Sequence, residues 1–282
     1  MAWMEENMRF LIRILQGALI GLGAVLPGIS GGVLCVIFGI YKTIMEFLAE
    51  PFHNFKTHVP KLIPIGLGGV IGFLGIANVL SVLLEKYPAP SVCLFVGLIG
   101  GMLPSLYREA GEQGRSSASL VSLYLAMAVT FGLLVTLQIL NVVIMPNFGW
   151  YVFCGFCLAL SVIAPGMSFS TLLMPLGLYE PFVAGIGHMD LAVLIPGGIG
   201  ALATVVLFAK AINTLFRKHY SVAFHAIVGV VIAATIMIIP FRSFVESPVS
   251  FFVNLLCVIV GIVAAVLLDR FNQKYDVVTS AP

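Results

Sequence analysis

The chain has 282 residues, of which 60% are hydrophobic and 9% charged, and its mean hydropathy is +1.12. That composition excludes a soluble globular domain, and the length exceeds a single anchor, so the sequence describes a polytopic membrane protein. A formal net charge of +2 offers no broad basic surface, so no nucleic-acid partner is expected, and the placement of the cations carries more than their sum.

The first apolar run covers residues 10–26. It has the length of a signal peptide, but Glu5 and Glu6 precede it against a single Arg9 and no small-residue cleavage site follows, so the segment is expected to be retained. Arg13 stands about one turn into this run and has two readings: a contact for an anionic substrate, or a side chain that snorkels to the interface. The run then breaks at Gly23-Ala24-Val25-Leu26-Pro27-Gly28-Ile29-Ser30-Gly31-Gly32. Helix breakers at bilayer depth leave backbone groups that lipid cannot satisfy, so such breaks persist where they line an enclosed cavity. The Pro27-Gly28 turn exposes the first N–H groups of the next half-helix, a ready anion site. Ser30 adds a hydroxyl, while Gly31 and Gly32 let a ligand approach the backbone closely. A plain kink between packed helices is the alternative.

Residues 33–48 form the next run, which yields only about 24 Å of helix. That is short for a crossing, so the break and its two arms read as a re-entrant hairpin. Runs at 62–84, 91–107 and 119–145 follow, each matching the roughly 20 residues of a full span. A second series occupies 150–164, 169–186, 191–216, 221–240 and 249–268, and its first two runs flank Ala164-Pro165-Gly166-Met167-Ser168-Phe169-Ser170. Here too the turn offers N–H donors, with Ser168 and Ser170 as hydroxyls.

The two series are related. Pro27 and Pro165 stand 165 − 27 = 138 positions apart, as do Gly28 and Gly166, Ser30 and Ser168, Gly39 and Gly177, and Tyr41 and Tyr179. Gly66, Gly68 and Gly97 match Gly198, Gly200 and Gly229 at 198 − 66 = 132. Each half contributes an even-parity hairpin and three spans, so the second half is inverted relative to the first. Loop cations test this count. Arg9, Lys56, Lys61, Arg108, Arg115, Arg217, Lys218, Arg270 and Lys274 fall on one side, against Lys86 and Arg242 on the other. The positive-inside rule then places both termini in the cytoplasm. The expected fold is an all-α polytopic membrane protein of two inverted-topology repeats, about 10–145 and 149–268, within a single transmembrane domain, 1–282.

Other polar residues inside the runs have competing readings. Lys42 and Glu180 occupy equivalent places with opposite charge; they pair, gate the hairpins, or sit independently at the interface. His225, well inside an apolar run, is either a proton carrier near neutral pH or a hydrogen-bonded core residue. Lys210 either faces a cavity or snorkels. The five cysteines lie in apolar segments and read as small buried hydrophobes, Cys154-Gly-Phe-Cys157 included. Gly198-Ile-Gly200-Ala-Leu-Ala203 lacks the strand and acidic residue of a dinucleotide site, and with Gly17–Gly21, Gly68–Gly72 and Gly97–Gly101 it reads as small-residue helix packing. These stripes also permit a homodimer. No metal spacing, cofactor motif or hydrolytic motif is present, so the chain is expected to be no enzyme.

Two Pro-Gly-x-Ser breaks, each followed by Gly-x-Tyr and a charged residue, resemble the bacterial polyprenyl-phosphate translocases, and the likeness covers nearly the whole chain. The resemblance implies a flippase of the cytoplasmic membrane that recycles undecaprenyl phosphate for cell-wall synthesis, with the polyprenyl-phosphate lipid and membrane lipids as its partners. It further implies that Pro27, Gly28, Ser30, Gly31 and Gly32, with Pro165, Gly166, Ser168 and Ser170, shape the phosphate site. This chain departs from the family pattern at Ala24, where Asp is common, Val33 (Thr), Lys42 (Glu) and Phe169 (Gly). A carrier for a small soluble anion and a membrane-embedded lipid phosphatase are the competing readings; a lateral opening toward lipid favours the flippase over the former.

Overall fold

A computed structural model describes residues 2–27, 31, 34–35, 38–40, 43–44, 47, 51–140, 144–163 and 168–279. Among them there is no strand. The helices are α1 (Ala2–Val25), α2 (Pro51–Lys86), α3 (Pro88–Ala110), α4 (Ser117–Ile139), α5 (Phe148–Ile163), α6 (Phe169–Leu173), α7 (Tyr179–Gly187), α8 (Leu191–Ile238), α9 (Phe241–Val245) and α10 (Pro248–Thr279), with one 3-10 turn, Met174–Leu176.

Local signals set several of these boundaries. Pro88 opens α3 at a position where no backbone N–H is needed. Ser116 and Ser119 cap α4 reciprocally, each hydroxyl accepting the other's backbone N–H. The Asp190 carboxylate accepts the Ala192 N–H at the start of α8. α4 stops at Ile139, short of the expected 145. Along α8 the two expected runs are continuous except for a kink at His219, where φ is −135° and ψ is 41°.

Five stretches are long and apolar enough to span a bilayer: 58–86, 88–110, 117–139, 218–238 and 248–270. Their outer faces carry Val70, Ile71, Val121, Leu125, Phe252 and Leu256, all more than half exposed. Such a continuous apolar exterior is the mark of a lipid-facing surface. α5 has 16 residues, about 24 Å, less than the roughly 30 Å hydrocarbon core. After it, the α6–3-10 segment and α7 bend against each other by 115°, turning at Gly177 with φ +68°.

Helices pair through glycines. A methyl on Gly17 would collide with the Ile65 carbonyl, and one on Gly68 with the Ile14 carbonyl, so α1 and α2 touch along their backbones. The pairing of α5 with the first part of α8 repeats this, with Gly155 against the Gly197 carbonyl and Gly200 against that of Val152. Every residue of the second set lies 138 (α1 to α5) or 132 (α2 to α8) positions after its counterpart, the same offsets found in the sequence. The remaining helices exchange partners: Gly97 of α3 packs on Val258 of α10, and Gly229 of α8 on Leu123 of α4. The backbone breaks correspond as well. Tyr87, between α2 and α3, has φ −134° and ψ 61°, and His219, its equivalent at 132, has nearly the same geometry. Gly39, with φ +67°, stands 138 positions before Gly177.

Candidate functional site

α1 ends at Val25, which is fully buried, and Leu26 and Pro27 leave the helix. Beyond the break, Gly31 lies back against the last turns of α1: a Cβ there would sit 3.1 Å from Ala24 Cβ and 3.2 Å from the Ile20 carbonyl oxygen. The chain therefore reverses rather than continuing. At a helix C-terminus the last carbonyls lack intrahelical partners. The Val25 carbonyl finds one 154 residues away, accepting the Tyr179 hydroxyl at 2.6 Å. Tyr179 opens α7 and is only 2% exposed, so the second break's own bent element clasps the end of the first.

The start of α6 reaches this contact through Phe169, which packs on the Tyr179 ring. Ser168 and Ser170 are buried, and their hydroxyls share a hydrogen bond of 2.6 Å. Thr171 donates its hydroxyl to the Ser168 carbonyl at 2.7 Å. Paired hydroxyls in an apolar interior are strongly held, and each retains acceptor capacity or a proton that can be re-aimed at a guest. Phe169, the residue between them, is fully buried and packs against Phe73, Tyr179 and Phe182 with ring centroids 6.4, 5.9 and 6.2 Å apart. This aromatic block joins α2, α6 and α7 behind the serines, and it accounts for a phenylalanine at a site where the resemblance leads one to expect glycine.

Of the other predicted site residues, those that are described disperse. Gly28, Ser30, Gly32, Lys42, Pro165 and Gly166 lie outside the described residues, as does the side chain of Lys210. Arg13 is half-buried on α1, about 18 Å along the helix before Val25, so it does not reach the junction of the breaks. Glu180 is exposed and lines a cavity of about 260 Å³ with Gly177, Met174 and Leu84. His225 is buried in a different place, near the α3–α4 turn. Its Nδ1 lies 2.7 Å from the Ser221 carbonyl oxygen, Tyr107 packs edge-on at 5.7 Å, and its Nε2 makes no hydrogen bond among the described residues.

Sequence reasoning identified the Gly-x-Tyr motif but not the acceptor of its hydroxyl, because a backbone carbonyl leaves no trace in residue identity. It also missed a cavity of about 500 Å³ between the α1–α2 and α5–α8 pairs, walled by Ile20, Ala24, Leu158, Val162 and Phe182 among others. Val70 and Met189 of its lining are 57% and 59% exposed, so it is open to the apolar exterior.

A profile of the undecaprenyl phosphate translocase-like family matches residues 1–114 and 54–253. The polyprenyl-phosphate transporter of Staphylococcus aureus is 24% identical over 282 residues, covering 94% of this chain and 98% of that protein. That of Vibrio cholerae is 25% identical over 252 residues, covering 84% and 80%. No solved structure matches the chain.

Proposed function

The chain belongs to the undecaprenyl phosphate translocase-like family, and from that premise we propose that it is a polyprenyl-phosphate transporter moving its lipid across the bacterial cytoplasmic membrane by alternating access. The observation that carries the site assignment is the Tyr179 hydroxyl on the Val25 carbonyl at the end of α1, with the ring of Tyr179 packed on Phe169, the residue between the paired Ser168 and Ser170 hydroxyls. A phosphate charge dragged through hydrocarbon unaided costs many kcal/mol. A protein lowers that cost by replacing the lost hydration with hydroxyls and backbone donors, and the Ser168 and Ser170 hydroxyls are the candidates for that role.

In this reading the two halves are inverted repeats, each a re-entrant hairpin followed by three spans: α2, α3 and α4 in the first, the two parts of α8 and α10 in the second. The matched glycine contacts and the matched breaks at Tyr87 and His219 support it. Rocking one half against the other opens the junction to either leaflet in turn. The cation bias puts both termini in the cytoplasm, where Arg13 draws the headgroup inward. Lys42 and Glu180 act as gate residues, His225 as a coupling residue, and the whole chain as one membrane body. The opening of the large cavity to the apolar exterior favours a lipid substrate over a soluble anion, which needs full enclosure.

The test is leaflet exchange of radiolabelled undecaprenyl phosphate in proteoliposomes, read by its accessibility to an added impermeant phosphatase. Purified protein is expected to speed exchange without releasing inorganic phosphate on its own. Phosphate release by the protein itself would favour the lipid phosphatase, and no acceleration would sink the transport reading.

A further inference from the structure

The large cavity has a composition unlike the rest of the interior. Among the described residues its lining carries no polar side chain, and its volume of about 500 Å³ lies within the range of small-molecule sites. It is also symmetric about the two halves. Ile20 and Leu158, and Ala24 and Val162, face it as equivalents 138 positions apart; Gly66 and Gly198 do so at 132.

Those last two glycines distinguish the wall from ordinary helix packing. Gly68, Gly155 and Gly200 are small because a neighbouring backbone touches them, whereas a Cβ on Gly66 or Gly198 would meet no atom within 4 Å. Glycine in a helix interior is destabilising relative to alanine. No contact among the described residues requires these two to be small; Gly75, Gly100 and Gly132 are equally unhindered, but they are not in the cavity's lining and none has a glycine as its equivalent. A guest lying against the exposed backbone supplies the reason.

Position identifies the guest. Ala24 precedes Val25, the acceptor of the Tyr179 hydroxyl, and Phe73 and Phe182 pack on the ring of Phe169, flanked by Ser168 and Ser170. The cavity therefore ends against the back of the proposed headgroup site. A polyprenyl chain carries methyl branches that a smooth wall would exclude and notches at glycine would admit; an unbranched acyl chain has no such need. We propose that this cleft binds the isoprene units nearest the phosphate, leaving the distal tail in lipid. The inference rests on the transport reading and deepens it, since a groove shared by equivalent residues of both halves holds the tail in either orientation of the carrier.

Gly66→Leu and Gly198→Leu place side chains in the notches, and the Cβ of either meets no described atom within 4 Å. In the exchange assay each is expected to slow undecaprenyl phosphate roughly tenfold or more, the scale of a hydrophobic pocket that no longer fits, with an unchanged melting temperature. Exchange of dodecyl phosphate, unbranched, should be much less affected. Wild-type exchange rates in both variants would overturn the inference, and so would equal loss for the branched and unbranched lipids. Absence of exchange by the wild-type protein would instead overturn the transport reading itself. Independently of folding of the variants, a polyprenyl phosphate bearing a diazirine on its first isoprene unit should crosslink the wild-type protein within α2 and α8; labelling confined to α4 and α10 would overturn the proposal.

Discussion

Tyr179 carries a disproportionate share of the junction, because one hydroxyl both satisfies a buried carbonyl and ties two distant segments together. Tyr179→Phe leaves the Val25 carbonyl unpaired in an apolar interior, at a cost of about 1–3 kcal/mol, and should lower the melting temperature of the purified protein. An unchanged melting point would mean that the breaks do not depend on this bond. Ser168→Ala with Ser170→Ala removes hydroxyls rather than packing. Hydrogen bonds to a charged partner are worth about 1.5–3 kcal/mol, so exchange should fall roughly tenfold or more while thermal stability changes little. At this scale the sequence was legible wherever identity reports chemistry. The serines, the Pro-Gly turns and the tyrosine all announce themselves, but Phe169 does not: a phenylalanine among apolar residues looks like lipid-facing surface until its three ring neighbours are known.

Among elements, glycines separate into those that hold helices together and those that do not. Gly68→Leu drives a side chain into the Ile14 carbonyl, and two backbones in contact cannot part without losing the α1–α2 pair; folded yield in membranes should collapse. Gly132→Ala, on an exposed part of α4 with nothing within 4 Å, should instead stabilise by about 0.5–1 kcal/mol, measured as a higher melting temperature. The same residue type thus predicts opposite outcomes, and spacing alone does not distinguish them. Helix positions and lengths were readable because apolar runs and bilayer thickness restrict them. The stop of α4 at Ile139 was not, since apolar residues continue past it and only the local backbone turn ends the helix.

For the whole molecule, inversion makes a prediction that no single helix makes. Lys86 and Lys218 are equivalent residues, both exposed, at the ends of α2 and of the first part of α8. Lys86→Cys should react with an impermeant maleimide from outside intact cells, and Lys218→Cys only from the cytoplasmic side; labelling from the same side would refute the inverted arrangement. Glycine stripes that permit a dimer are largely occupied by contacts within the chain, at Gly17, Gly21, Gly68, Gly72, Gly97 and Gly101. What residue order determines by itself is what transfer from water to lipid and backbone chemistry govern: the apolar runs, the Pro-Gly breaks, the recurring offsets of 138 and 132 and the positions of the cations along the chain. Those depend on local composition and need no knowledge of neighbours. Only the tertiary structure decided which helices exchange partners, what the tyrosine hydroxyl reaches, and which glycines meet no described atom, because each depends on residues far apart in the chain, and short-range pattern carries no information about such relations.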